Sequence, residues 1–239
     1  MPTALILILS LTACSKPQEA QPPWKMIDAA ALKSMMASGK VVSVFNTMSE
    51  IECLDHRIPG THCLSCEEIE NSASVLPSDK DRPIVLYCES EGCYRSCRAA
   101  DAAIRYGYKE VYILAGGMPA WKQAGYPLES VERIPRRPVI SVKAPELKKM
   151  IGERKDILLV DIRSEKSFQE GHIDGAVNIP LYRITQRYDE IPLDHTVVLI
   201  DDRGFRTFLA GSYLERKGFK VMRLFGGMQG WQGMLAKKQ

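Results

Sequence analysis

The chain repeats itself once, and that repeat limits its fold more than any other feature. Ala31-Leu32-Lys33-Ser34-Met35-Met36 returns as Glu146-Leu147-Lys148-Lys149-Met150-Ile151, 115 positions later. At the same offset Asn46, closing Val42-Ser43-Val44-Phe45, meets Asp161, closing Leu158-Leu159-Val160. So does Arg57-Ile58-Pro59-Gly60-Thr61, with His172-Ile173-Asp174-Gly175-Ala176. Arg95-Ser96 and Arg206-Thr207, then Gly107-Tyr108 and Gly218-Phe219, are 111 apart. Gly116-Gly117-Met118-Pro119-Ala120-Trp121 meets Gly226-Gly227-Met228-Gln229-Gly230-Trp231 at 110. Six anchors in one order, with small indels, mark a duplicated domain of about 105 residues. That period is too long for a solenoid repeat. A Pro- and Arg-rich linker begins at Glu129 and runs into Pro138.

Within each unit short apolar runs alternate with helical stretches. Val41–Phe45, Pro83–Tyr87 and Glu110–Leu114 read as buried strands, with Ile157–Val160, Thr196–Ile200 and Val221–Leu224 as counterparts. Ser96–Tyr106 and Thr207–Lys217 read as helices, each stopped by a glycine. This alternation predicts an α/β fold: two tandem domains, each a central parallel sheet flanked by helices. Sites in such sheets lie beyond the C-terminal strand ends. The 239 residues are 45% hydrophobic and 26% charged, which excludes a disordered or fibrous chain. A net charge of +3, with no basic stripe, gives no case for nucleic acid.

All seven cysteines (Cys14, Cys53, Cys63, Cys66, Cys88, Cys93 and Cys97) fall in the first 97 residues. That bias points to chemistry or an oxidising compartment. Residues 2–13 form an uncharged run, too short for a membrane-spanning helix but long enough for a signal-peptide core. Leu11-Thr12-Ala13-Cys14 resembles the lipobox of bacterial lipoproteins. The resemblance implies a signal peptide over 1–13, a lipidated Cys14 and a tether over 14–23. It also implies a place in the bacterial cell envelope, on the periplasmic face, and at the outer membrane in a Gram-negative cell. The lipid would be the chain's sole membrane contact. No Lys or Arg precedes the run, a departure from the lipoprotein pattern.

One motif carries chemistry. Val85-Leu86-Tyr87-Cys88 ends a strand, Glu89-Ser90-Glu91-Gly92-Cys93-Tyr94-Arg95-Ser96 follows, and a helix begins. Loop amides and a helix N-terminus favour negative charge, which lowers a thiol pKa and makes a thiolate nucleophile. Arg95 adds positive charge that suits an anionic group.

Here the chain resembles the rhodanese-like sulfurtransferase family. Tyr87-Cys88, Arg95-Ser96, Gly107-Tyr108, Gly116-Gly117 and Trp121 carry the resemblance in the first half. Asp161-Ile162-Arg163, Gly171-His172-Ile173, Gly175 to Pro180, Arg206-Thr207, Gly226-Gly227 and Trp231 carry it in the second. It spans nearly all of residues 24–235 and implies one such domain over 24–128, a linker over 129–137 and another over 138–239. The implied chemistry is sulfur transfer. Cys88 takes a sulfane sulfur from a small donor, becomes a persulfide, and passes it to cyanide or a thiol-bearing acceptor protein. Arg95 and loop amides stabilise the anion. The persulfide is the carrier, so no cofactor or metal is implied.

Three departures stand out. Cys88 and Arg95 are separated by six residues where the family usually has four. Glu89 and Glu91 occupy the loop and oppose anionic donors such as thiosulfate. The Asp161-x-Arg163 pair becomes Asn46-Thr47-Met48 in the first half, removing an ion pair. In the second half Asp201 stands at the nucleophile position, followed by Asp202, Arg203 and, before the helix, Arg206. A carboxylate forms no persulfide, so this domain reads as degenerate, with Asp201, Arg203 and Arg206 in a loop ion pair or at a ligand site.

Alternatives remain open at this stage. Cys93 is a candidate resolving thiol for Cys88, which would make the protein a thiol-disulfide redox protein. Cys93 is also a rival nucleophile, because Cys93 to Arg98 has the usual family spacing. Cys53, Cys63 and Cys66 suit structural disulfides of unassigned pairing. Cys63-x-x-Cys66 with His56 and His62 suggests zinc only if it consumes the active-loop thiols. As a thioredoxin-type pair it would have to open a helix after a strand. A phosphatase reading of the Cys-to-Arg loop meets two carboxylates where a phosphate would sit. A non-catalytic binding module is the remaining alternative. His172, His195, Trp121 and Trp231 read as structural.

Overall fold

The computed structural model describes residues 22–90, 93–134, 138–154, 156–204 and 206–236. Cys14 and the whole signal-like segment, Glu91, Gly92 and Phe205 lie outside the described residues. The first domain runs β1 (Lys25–Ile27), α1 (Ala29–Ala37), β2 (Ser43–Asn46), α2 (Glu50–Asp55), β3 (His62–Cys63), α3 (Cys66–Asn71), β4 (Ile84–Tyr87), α4 (Tyr94–Arg105), β5 (Val111–Leu114) and α5 (Gly117–Gln123). The second repeats the pattern with β6 (Ile140–Val142), α6 (Ala144–Glu153), β7 (Ile157–Asp161), α7 (Glu165–Glu170) and β8 (Val177–Asn178). It continues with α8 (Ile184–Arg187), β9 (Thr196–Ile200), α9 (Thr207–Arg216), β10 (Lys220–Leu224) and α10 (Gly227–Ala236).

Each domain holds a five-stranded sheet whose ladders are all parallel, in order β1-β5-β4-β2-β3 and β6-β10-β9-β7-β8. The expected α/β duplication is therefore present. The strands are short and apolar because helices cover both faces. Every side chain of β4 is buried, and so is every one of β2. Several expected boundaries move by a residue or two. The first-half strand starts at Ser43 rather than Val41, which is 63% exposed and lies outside the ladder. The helix after the active loop starts two residues early, at Tyr94. Gly107 and Gly218 follow α4 and α9 in the left-handed conformation that ends a helix without Cβ strain.

The Asp161–Arg163 pair is real and buried. The guanidinium grips the carboxylate through two nitrogens and also donates to the Gly171 carbonyl. In the first domain Asn46 replaces it. Its amide oxygen accepts from the Met48 N–H at 3.0 Å, as Asp161 accepts from the Arg163 N–H at 3.0 Å. The backbone turn survives and no lone charge is buried, which is why the ion pair can be lost.

The domains are joined by more than their linker. Ile51 of α2, only 1% exposed, packs among core residues of the second domain such as Ile184 and Leu214. Thr185 donates to Glu50, Asp55 accepts from the Ile134 N–H at 2.9 Å, and Arg216 pairs with Glu132 at 3.2 Å. Truncating Ile51 leaves a cavity that neither domain closes. Ile51→Ala is expected to cost about 2–5 kcal/mol, read as a lower midpoint in urea unfolding.

Candidate active site

The site lies beyond the C-terminal ends of β2 and β4. Cys88 follows β4 directly and is 1% exposed. Its carbonyl accepts from the Met118 N–H at 3.0 Å. Gly117, at φ +58°, presses against the same carbonyl, and a Cβ there would come within 2.5 Å of the oxygen. Gly227 repeats this contact with Asp201, and the Met228 N–H donates to the Asp201 carbonyl at 2.8 Å. The Gly-Gly pairs of the repeat are therefore loop clamps.

Cys88 and Cys93 form a disulfide, with Cα atoms 6.2 Å apart. Cys93 is half-buried and caps α4, with its N–H donating to the Ser90 carbonyl and its carbonyl accepting from the Ser96 hydroxyl. Tyr94 is exposed and stands beside the Arg98 guanidinium. Arg98 pairs with Glu70 of α3, so its charge is taken up there. That geometry disfavours Cys93 as a nucleophile served by Arg98.

Arg95 stands among carboxylates. It is 7% exposed and already neutralised, with Nη1 3.4 Å from Glu52 and 4.0 Å from Glu89. Burial pushes its pKa down, but Glu52, then Glu89 and Glu67, outweigh this and hold it above the ordinary value. An anion that approaches Arg95 meets these carboxylates as well. Sequence reasoning missed Glu52. Its signal was the capping box Ser49-x-x-Glu52, whose carboxylate accepts from both the Ser49 N–H and hydroxyl before it meets Arg95.

The other cysteines sort cleanly. Cys53 and Cys63 form a disulfide that ties α2 to β3. Cys63 ends β3 and Cys66 is the first residue of α3, so the Cys-x-x-Cys pair does span a strand end and a helix start. Its first thiol nevertheless pairs outside the motif, which also removes it as a zinc ligand. Cys66 is fully buried, and burial, then Glu70 and Glu67, push its thiol up to about 12. Cys97 is raised by burial, then Asp101.

In the second domain the loop is closed on itself. Asp201, 3% exposed, accepts from the backbone N–H of Gly204 and, at 2.8 Å, of Arg206. The expected side-chain ion pair is replaced by these amides, because a carboxylate at a helix start finds N–H donors nearer than a guanidinium. The amides that would hold an anion are already filled. Arg223 donates to the Gly204 carbonyl at 2.9 Å and lies over the Phe208 ring. His172 bonds the Phe168 carbonyl and stacks on that ring, His195 pairs with Asp194, and the Trp121 indole donates to the Pro127 carbonyl. Trp231 is partly buried against the second core.

A cleft of about 920 Å³ opens between the domains beside this loop. Met48, Glu52, Glu89 and Met118 line it from the first domain, Leu128 and Ile134 from the linker side, and Phe208 and Leu209 from α9. No sequence signal pointed to it, because its walls are far apart in the chain.

Comparisons with known proteins agree with this architecture. A family model described as the rhodanese-like domain matches residues 28–124 and again 143–234. A sulfurtransferase of Allochromatium vinosum is 34% identical over 94 residues, covering 39% of this chain and 88% of that protein. The thiosulfate sulfurtransferase GlpE of Shewanella oneidensis is 35% identical over 80 residues, covering 33% of this chain and 79% of that one. A solved thiosulfate sulfurtransferase of Pseudomonas aeruginosa aligns with 90% of this chain and 43% of its own length, at 20% identity and a TM-score of 0.42. This chain thus spans less than half of that structure.

Two outcomes follow from the site. Gly117→Ala forces a left-handed alanine against a backbone carbonyl and is expected to cost about 1–3 kcal/mol, read as a lower thermal midpoint. After reduction, iodoacetamide at pH 8 is expected to alkylate the half-buried Cys93 at least tenfold faster than Cys66. Urea should erase the difference by returning Cys66 to an ordinary thiol.

Proposed function

The chain belongs to the rhodanese-like domain family, with two copies of the domain in tandem, and from that premise we propose that its first domain moves sulfane sulfur through Cys88. A small sulfane donor loads the reduced thiolate, and a thiol-bearing protein or cyanide accepts the sulfur. The observation that carries this reading is the contrast between two equally clamped loops. One presents Cys88 at its strand end, and the other presents Asp201 with its carboxylate already bonded to the loop amides. Sulfur chemistry needs a thiol on the clamped residue, and only the first domain has one. The second domain acts as a wall of the cleft.

Cys88 enters the reaction from the reduced state, since its disulfide leaves no thiolate. The carboxylates around Arg95 favour neutral donors over thiosulfate, because an anionic donor approaches Glu89 as well as the guanidinium. The apolar wall of Met48, Met118, Phe208 and Leu209 suits an acceptor larger than cyanide.

The Cys88–Cys93 disulfide favours a second reading, a thiol-disulfide exchange protein with no sulfur loading. Two disulfides within the first domain also support residence in an oxidising compartment, and with it the proposed lipid-anchored place in the cell envelope.

The deciding experiment loads the reduced full chain with thiosulfate or polysulfide and maps cysteine masses. A gain of about 32 Da on Cys88, removed by cyanide, is the expected result. Cys88→Ser should lower cyanide-accepting turnover by roughly three orders of magnitude or more. Disulfide exchange with a dithiol, without a mass gain from either donor, would establish the second reading instead.

A further inference from the structure

A thiol that holds a persulfide normally keeps other thiols away, since any thiolate in reach can discharge it. Here the loop brings one into reach. The stretch between Cys88 and Arg95 is two residues longer than the family usually has, and Cys93 sits inside it. The sulfur atoms of Cys88 and Cys93 meet in a disulfide, so Cys93 reaches the inner sulfur of any persulfide carried by Cys88. The remaining cysteines of the first domain are spoken for. Cys53 and Cys63 are bonded to each other, Cys66 is buried in the apolar core, and Cys97 is raised by burial and Asp101. The surroundings also hold a persulfide anion weakly, because Arg95 is matched by Glu52 and Glu89.

We propose that the first domain is also a sulfane-sulfur reductase, in which Cys93 discharges the Cys88 persulfide as hydrosulfide. The inference rests on the persulfide reading of Cys88. The Cys93 thiolate attacks the inner sulfur, the Sγ of Cys88. A bond forms between the two cysteine sulfurs, and the bond from Cys88 to the outer sulfur breaks. The outer sulfur leaves with the electron pair as hydrosulfide and carries the proton that the Cys93 thiol has lost. Two cysteine thiols are oxidised by two electrons to the disulfide, and one sulfane sulfur is reduced to sulfide. An external dithiol then reduces the disulfide and returns both electrons. Cys93 is the more exposed partner, and an incoming thiolate meets it first. That attack frees Cys88 as a thiolate ready for the next donor. A larger acceptor thiol in the cleft competes with Cys93, so sulfur leaves either on the acceptor or as hydrosulfide.

The test uses the full chain, reduced with a dithiol, freed of it without oxygen, and given thiosulfate or, separately, inorganic polysulfide. Hydrosulfide is trapped with monobromobimane in the thiosulfate arm, and masses are mapped in both. Wild type is expected to release about one hydrosulfide per loaded chain and to end about 2 Da lighter, as the Cys88–Cys93 disulfide. Cys93→Ser, which keeps a good helix cap, should retain about 32 Da on Cys88 and release at least tenfold less hydrosulfide. Cys93→Ala should do the same, and Cys97→Ser should behave as wild type. A wild-type chain that keeps its extra sulfur on Cys88, or passes it to Cys93 as a second persulfide, overturns the proposal and leaves the transfer reading standing. No mass gain in Cys93→Ser with either donor and no hydrosulfide from wild type overturns both.

Discussion

One backbone carbonyl, at the end of the central strand, sets the geometry on which each domain's site depends. The Met118 N–H holds the carbonyl of Cys88, and the Met228 N–H holds that of Asp201. Both contacts require the preceding glycine to lie flat against the loop with positive φ, where any Cβ would strike the carbonyl. The next helix thereby fixes the strand's last peptide, and the following residue has one place to go. What the domain can do then depends on the side chain carried by that clamped residue. A thiol there gives a nucleophile. A carboxylate there turns inward and consumes the amides.

The two loops solve the same electrostatic problem in opposite ways. A helix start offers unpaired N–H groups that attract negative charge. In the second domain the Asp201 side chain takes that place, accepting from the amides of Gly204 and Arg206. In the first domain the loop carries a disulfide and a guanidinium shared between Glu52 and Glu89. Glu52 sits on α2, and α2 is constrained from three sides. Its Cys53 is bonded to Cys63, its Ile51 is packed in the second domain's core, and its Asp55 carboxylate holds the linker at Ile134. The charge balance beside Cys88 is thus tied to how the domains dock.

Much of this was legible in the chain. The repeat predicted two parallel sheets, and the Gly-Gly-Met steps marked elements that proved to be the clamps. Strand limits drifted by a residue or two, because apolar runs such as Val41-Val42 continue past the point where hydrogen bonding begins. The carboxylate beside Arg95 was hidden for a different reason. Glu52 lies 43 residues away, and periodicity says nothing of which charges meet across a fold. The cysteine pairing was hidden for the same reason. Cys53 and Cys63 meet because β2 and β3 are neighbours in the sheet and α2 fills the crossover, a fact of topology rather than spacing. The cleft was least legible, since Met118 and Phe208 share a wall only after two domains have folded and docked.

This docking also gives a second domain without a thiol a structural part in the site. A lone first domain would expose Ile51, leave the Asp55 carboxylate without the Ile134 amide, and have no wall opposite Met48 and Met118. The wall must hold its shape whether or not a ligand is present. A loop whose carboxylate is bonded to its own backbone does that better than one carrying a reactive thiol, because its donors are satisfied and nothing in it changes oxidation state. Arg223 extends the effect, bonding the Gly204 carbonyl while covering the Phe208 ring that faces the cleft. Aspartate at the clamped position thus makes the second loop a fixed brace, and the thiols stand in the loop on the other side.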